Sequence, residues 1–277
     1  MGLTLLAATA IGSAALTLPS SGPVERATTF LAARQQPDGG FAEPGQRSTP
    51  TLTAWAALAL AARGRRSEEA ADYLAGKPTG EATDVALRAL ALVALGRTVD
   101  DELARLDELR RPDGRIGPLV NSTVWGVLAL RADGRPAGAK TVRYLRRQQA
   151  RSGGWSWAPR GAPDTNDTAV AVEALRAAGV PSGDGAVRRG LAYLRRLRNR
   201  DGGFPLLRGR ASDAQSTSWV LQAFAAARRR PPAGARAYLF HLQRPDGSFR
   251  YSARYAVTPV WVTAQVVPAL AGRPFPL

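Results

Sequence analysis

Two stretches of this chain set carboxylates and carboxamides in one frame. Asp164-Thr165-Asn166-Asp167-Thr168 and Asp213-Ala214-Gln215-Ser216-Thr217 both read Asp-x-[Asn/Gln]-[Asp/Ser]-Thr. A carboxyl kept protonated by its neighbours can donate a proton to an alkene or an epoxide. The same residue types at a helix start cap free N–H groups instead. Asp164 and Asp167 are therefore candidate catalytic acids, with helix capping as the alternative. Asn166, Asp213, Gln215 and Asp84 are candidate ligand-binding groups on the same rim, where Asn121, Ser122 and Glu81 also fall.

Aromatic residues supply a second signal. Trp55, Trp125 and Trp219 each stand two positions after a threonine. Near the mouth of a cavity their faces could stabilise a cation or stack on a ligand; equally, they could fill the core. Trp155 and Trp157 lie in a turn and are assigned structural roles. Metal chemistry finds no ligand set, because the chain has no cysteine and a single histidine, His241, set between Phe240 and Leu242. Neither a zinc site nor any other cofactor is expected.

These candidates are held by a repeat. Thr53, Thr83, Thr123, Thr168, Thr217 and Thr263 are each followed six residues later by Ala-Leu or Ala-Phe, at spacings of 30 to 49 residues. That is the length of a helix-pair repeat. A second motif precedes the threonine: Tyr144-Leu145, Gln149, Gly153-Gly154-Trp155 is its fullest copy. Phe30-Leu31…Gln35…Gly39-Gly40-Phe41 and Tyr238-Leu239…Gln243…Gly247-Ser248-Phe249 are others. Two further copies put Arg198 and Arg110 where the glutamine stands.

A helix ending on this motif meets a glycine turn, where glycine takes the left-handed conformation without a Cβ clash. The following aromatic folds back over the turn, and a short loop leads to the next helix. One repeat is thus an outer helix, a tight turn, a loop and an inner helix. The threonine-led inner segments, such as Val124 to Leu130 and Val262 to Ala271, are nearly free of charge. The outer segments carry Arg143, Arg146, Arg147, Arg188, Arg189, Arg195 and Arg196. Helices apolar all round are buried, and those with a polar face border water. Six of each predict an all-α fold, an α6/α6 barrel or α/α toroid.

The repeats resemble those of the terpene cyclase and protein prenyltransferase superfamily, specifically the prenyltransferase and squalene-oxidase repeat. Gln149…Gly153-Gly154-Trp155 is similar to that family's QW motif, and Asp164 to Val170 resembles the stretch around the acid motif of class II cyclases. The resemblance covers about residues 24 to 277. It implies an α/α toroid and, for class II cyclases, protonation of an alkene or epoxide by the middle acid of Asp-x-Asp-Asp. Here the middle position is Asn166, and a carboxamide cannot donate that proton. The zinc ligands that the resemblance implies for protein prenyltransferases, Asp, Cys and His, are not available as a set.

Residues 1–22 hold an apolar, small-residue stretch, Leu3 to Leu18, read as a signal peptide or an N-terminal apolar anchor, although no Lys or Arg precedes it. Residues 23–277 form one toroid domain. The chain is therefore expected to be secreted or extracytoplasmic, and a monomer. Its formal net charge of +16 is spread over every repeat without a nucleic-acid motif. It points away from nucleic acid and towards attraction to an anionic membrane or cell-wall surface.

Function is expected to be noncatalytic, the toroid holding an apolar isoprenoid-like or corrin-type ligand. The alternative is a single-barrel terpene cyclase with a degenerate acid motif at Asp164-Thr165-Asn166-Asp167. A glycan-active enzyme using paired carboxylates ranks last.

Overall fold

A computed structural model describes residues 22–77 and 80–277; the expected signal peptide or anchor lies outside them, apart from Gly22. Twelve helices are found among the described residues. The outer set is α1 (Pro23–Ala32), α3 (Glu68–Ala75), α5 (Asp100–Glu108), α7 (Ala139–Arg147), α9 (Gly185–Arg196) and α11 (Ala235–His241). The inner set is α2 (Pro50–Ala61), α4 (Ala82–Ala94), α6 (Val120–Ala132), α8 (Thr165–Ala177), α10 (Ala214–Ala226) and α12 (Pro259–Ala271). Each inner helix packs on the next, and α12 packs on α2, which closes the ring. This is the expected α/α toroid of six helix pairs. Among the described residues no helix is long and apolar enough to cross a membrane.

The repeat threonine now has a physical role. Its hydroxyl accepts the backbone N–H of the residue that follows the glycine turn: Phe41 to Thr53 at 2.8 Å, Ile116 to Thr123 at 3.1 Å, Trp155 to Thr168 at 2.9 Å, and Phe204 to Thr217 and Phe249 to Thr263 at 2.9 Å each. All five threonines and all five turn residues are buried. The threonine thus fastens the turn onto its own inner helix, and satisfies an N–H that would otherwise be buried and unpaired.

The motif glutamine fastens the same turn to the following outer helix. Gln149 Nε2 donates to Gly153 O at 2.8 Å and to Ala186 O at 2.9 Å. Gln243 repeats this with Gly247 O and with Pro23 O, so the sixth repeat grips the first across the ring closure. Where arginine replaces the glutamine, Arg110 donates to Ala137 O and the Thr141 hydroxyl. Gly247 sits at φ 90°, and a Cβ there would lie 2.4 Å from Arg26 O, so glycine is required at this junction.

Candidate functional site

Taking the threonine as position zero turns the six inner helices into stacked rings. Residues four apart share a helix face. The ring at plus two is Trp55, Val85, Trp125, Val170, Trp219 and Gln265; the ring at minus two includes Asn121, Asn166, Gln215 and Trp261. Members of both rings line one cavity of about 310 Å³ at the N-terminal ends of the inner helices, together with Asp164, Asp167, Trp157 and Leu206. Five tryptophans line it.

Alternation of Trp with smaller or unbranched neighbours decides the floor. Trp55, Trp125 and Trp219 come from every second inner helix and meet edge-to-face, with ring centroids 5.4 to 5.8 Å apart and interplanar angles of 75° to 83°. The geometry suits the ring quadrupoles. These three residues are therefore both core and cavity lining, and the two roles weighed in the sequence coincide. Trp155 is structural as expected: it is fully buried and its Nε1 donates to Leu145 O at 2.7 Å. Trp157 is not structural. It is 56% exposed and stands at the cavity mouth.

Asp164 and Asp167 form the acidic wall. Asp164 is the N-cap of α8, accepting the Asp167 N–H at 2.8 Å, and one turn of backbone brings Asp167 alongside it. Asn121, the minus-two residue of the preceding repeat, donates from Nδ2 to Asp167 Oδ1 at 2.7 Å. Burial raises the carboxyl of Asp167 to about 8, the Asp164 charge adds to that rise, and the Asn121 hydrogen bond opposes it. Asp164 is raised too, by burial, against the hydrogen bonds it receives. Two carboxyls in one desolvated place cannot both ionise near neutral pH. Burial therefore favours a proton shared by the pair, with the larger rise at Asp167. Asn166 faces the same cavity, and its Oδ1 is buried without a partner.

Two of the sequence candidates do not reach this cavity. Asp213 is the N-cap of α10, its carboxylate taken by Ser216 N at 2.7 Å and Ser216 Oγ at 2.9 Å; burial raises it to about 6. It carries no Asp167 equivalent, because Ser216 stands there. Asp84 follows its threonine by one residue, which turns it off the axis into a separate cleft between α2 and α4 with Lys77 and Arg88.

Four of the six inner helix starts also donate to a loop of the next repeat around the ring. The N–H of Asn121 donates to Trp157 O, that of Thr165 to Leu206 O and that of Ala214 to Tyr251 O, each time in the loop of the next repeat. On α12 the N–H groups of Val260 and Trp261 bond the two oxygens of Glu43, at 3.0 and 2.8 Å. Neighbouring loops thus satisfy donors that the sequence left unassigned. Among the described residues no group of His, Cys, Asp and Glu could hold a metal ion.

Comparison with known proteins adds lineage to this geometry. The model of the squalene-hopene cyclase C-terminal domain matches residues 120–259, just over half of the chain and the part that contains the acid pair. Drimenyl diphosphate synthase of Streptantibioticus cattleyicolor is 35% identical over 251 residues, covering 71% of this chain and 47% of the relative. The chain thus spans about half the length of that curated relative. Among solved structures, the type II terpene cyclase MstE from Scytonema is 18% identical, with a TM-score of 0.69 over 90% of this chain and 96% of that one. The ent-copalyl diphosphate synthase from Streptomyces platensis is 22% identical, with a TM-score of 0.61 over 81% of this chain and 50% of that one. At these identities the structural likenesses concern the fold.

Proposed function

Because the chain belongs to the squalene-hopene cyclase C-terminal domain family, we propose that it is a class II-type terpene cyclase that protonates and cyclises a short prenyl diphosphate. The observation that carries this reading is the placement of Asp167: a buried carboxyl beside Asp164, held by Asn121 in the wall of a cavity lined by five tryptophans, where burial raises it to about 8. The expectation of a noncatalytic protein gives way to it, since the curated relative is named as a synthase.

In the proposed step the Asp167 proton adds to the CH carbon of the distal trisubstituted alkene. The π electrons form the new C–H bond, and a tertiary cation and an Asp167 carboxylate result. Attack by the next double bond on that cation closes a ring and moves the charge onward. Loss of a proton from the final cation to the Asp164–Asp167 pair ends the reaction and restores the acid. Each indole face in contact with a desolvated cation contributes about 1–2 kcal/mol. Asn121 holds the Asp167 carboxyl in place throughout, and its bond strengthens as the carboxylate forms. The acid is displaced by one residue from the family's middle position, where Asn166 stands.

Cavity size favours a short prenyl chain over a corrin, because about 310 Å³ is at the lower end for drug-sized ligands. The mouth suits delivery from an anionic lipid surface. Trp157, Leu206, Leu207, Tyr255 and Val257 are exposed in the loops leading into α8, α10 and α12, and Arg160, Arg208, Arg210 and Arg254 are exposed in the same loops. Apolar tips beside arginines fit an interfacial contact.

Incubation with geranyl, farnesyl and geranylgeranyl diphosphate, followed by phosphatase treatment and gas chromatography with mass detection, tests the proposal. A cyclic product from the wild type that disappears in Asp167→Asn is expected. Binding without turnover would leave the noncatalytic isoprenoid carrier, which the carboxamide at Asn166 favours.

A further inference from the structure

The inner helices enter the barrel from the mouth, so residues further along them lie deeper. Glu173 is three residues beyond Val170 on α8, about 4.5 Å further from the mouth. At that depth the chain inserts a segment that belongs to no repeat. Past α12, Gly272 adopts φ 68° and turns the chain. Phe275 then lies 3% exposed against the three floor tryptophans, its ring centroid 6.1 Å from Trp55, 6.4 Å from Trp125 and 6.1 Å from Trp219. Its backbone N–H donates to Glu173 Oε2 at 3.0 Å.

Phe275 does not line the mouth cavity, whereas all three tryptophans do. It therefore supports the floor from the far side and occupies the space into which an indole would have to swing. The region beyond is also polar. Glu173 and Gln222 are buried there, with Glu173 Oε1 and both side-chain polar atoms of Gln222 unpartnered. A hydrocarbon chain pushed past the floor would offer those groups no hydrogen-bond partner, so the space beyond the floor suits a polar group better than a prenyl tail.

We propose that Phe275, anchored on Glu173, and the Trp55–Trp125–Trp219 floor it supports set the maximum length of prenyl chain that the cavity accepts. The chemical identity of the ligand rests on the cyclase reading; the existence of the length limit does not. Phe275 is a positioning residue that acts through the tryptophans.

The test uses binding, so that it is independent of turnover. Geraniol, farnesol and geranylgeraniol are titrated into the full chain, with intrinsic tryptophan fluorescence as readout, since five of the six indoles line the site. The wild type is expected to bind the shorter alcohols and to discriminate against geranylgeraniol. Phe275→Ala and Trp125→Ala are each expected to improve geranylgeraniol binding relative to geraniol by about tenfold, the scale of hydrophobic pocket discrimination. Phe275→Leu, which keeps a buried apolar side chain, serves if the alanine variant does not fold, and should shift the preference in the same direction. Equal affinity for all three alcohols, an unchanged ratio in the folded variants, or no alcohol binding overturns the length limit. A length limit without cyclisation of any diphosphate would instead overturn the cyclase reading alone.

Discussion

Asn121 and Asp167, 46 residues apart, are joined by a 2.7 Å hydrogen bond from the carboxamide of one repeat to the carboxyl of the next. The bond spans the seam between α6 and α8 and fixes the acid against the cavity wall. Asp213 instead takes its hydrogen bonds from its own helix start and from the Leu206 backbone in the preceding loop.

Replacing Asp167 by Asn removes the proton and retains the shape. Turnover should fall by about 10²-fold or more, the usual scale for a lost general acid. The thermal midpoint should hold or rise, because a buried ionisable group is replaced by a neutral one. Product formation and calorimetry on the same preparation check both; a stability loss with activity retained would make Asp167 a structural residue.

The same carboxyl predicts a pH dependence. Its folded value, about 8, lies above its ordinary one, so the folded state binds the extra proton between pH 4 and 8. This contribution to stability is full below the ordinary value and declines as pH rises towards 8, with a slope of at most about 1.4 kcal/mol per unit. Activity should likewise fall as pH rises through about 8. Asp167→Asn should flatten the stability curve, as denaturant titrations across pH would reveal.

Asp213→Ala separates capping from catalysis. Loss of the side-chain cap on Ser216 N–H should cost about 0.5–2 kcal/mol, with turnover changed little. Urea midpoints beside product yields decide the matter, and a hundredfold loss of turnover would place Asp213 in the chemistry after all.

Thr168→Val tests the repeat threonine. The buried N–H of Trp155 would lose its acceptor, at a cost of about 1–3 kcal/mol, or several degrees in thermal midpoint. Any residual fold should still bind ligand. An unchanged midpoint would contradict the fastening role.

Asn166→Asp restores a carboxyl at the family's middle acid position. Its neighbours Asp164 and Asp167 should keep it protonated, and turnover should rise by about tenfold while stability falls through added burial of acid. If turnover does not respond, the side chain at 166 does not meet the reacting alkene.

The toroid could be read from residues because each repeat solves the same local problem. A turn residue needs an acceptor for its N–H, the threonine provides it, and among the described residues the arrangement recurs at five of the six inner helices. The ring of Trp55, Trp125, Trp219 and their smaller neighbours was written in the same column. Capping by Asp164 and Asp213 was equally local, as it spans three residues.

Four features depended on how the ring closes. Asp84 left the site because one residue of helical rotation turned it away from the axis. Trp157 entered the site because its loop folds onto α6, where its carbonyl accepts the Asn121 N–H. The raised carboxyl of Asp167 is a property of burial and of the nearby Asp164 charge, which outweigh the Asn121 hydrogen bond, and a residue type can express none of these. Phe275, outside every repeat, reached the centre through Glu173 and three tryptophans drawn from helices far apart in sequence. Local hydrogen-bonding demands repeat with the chain and are legible along it; desolvation and contacts at the axis arise only when six repeats face one another.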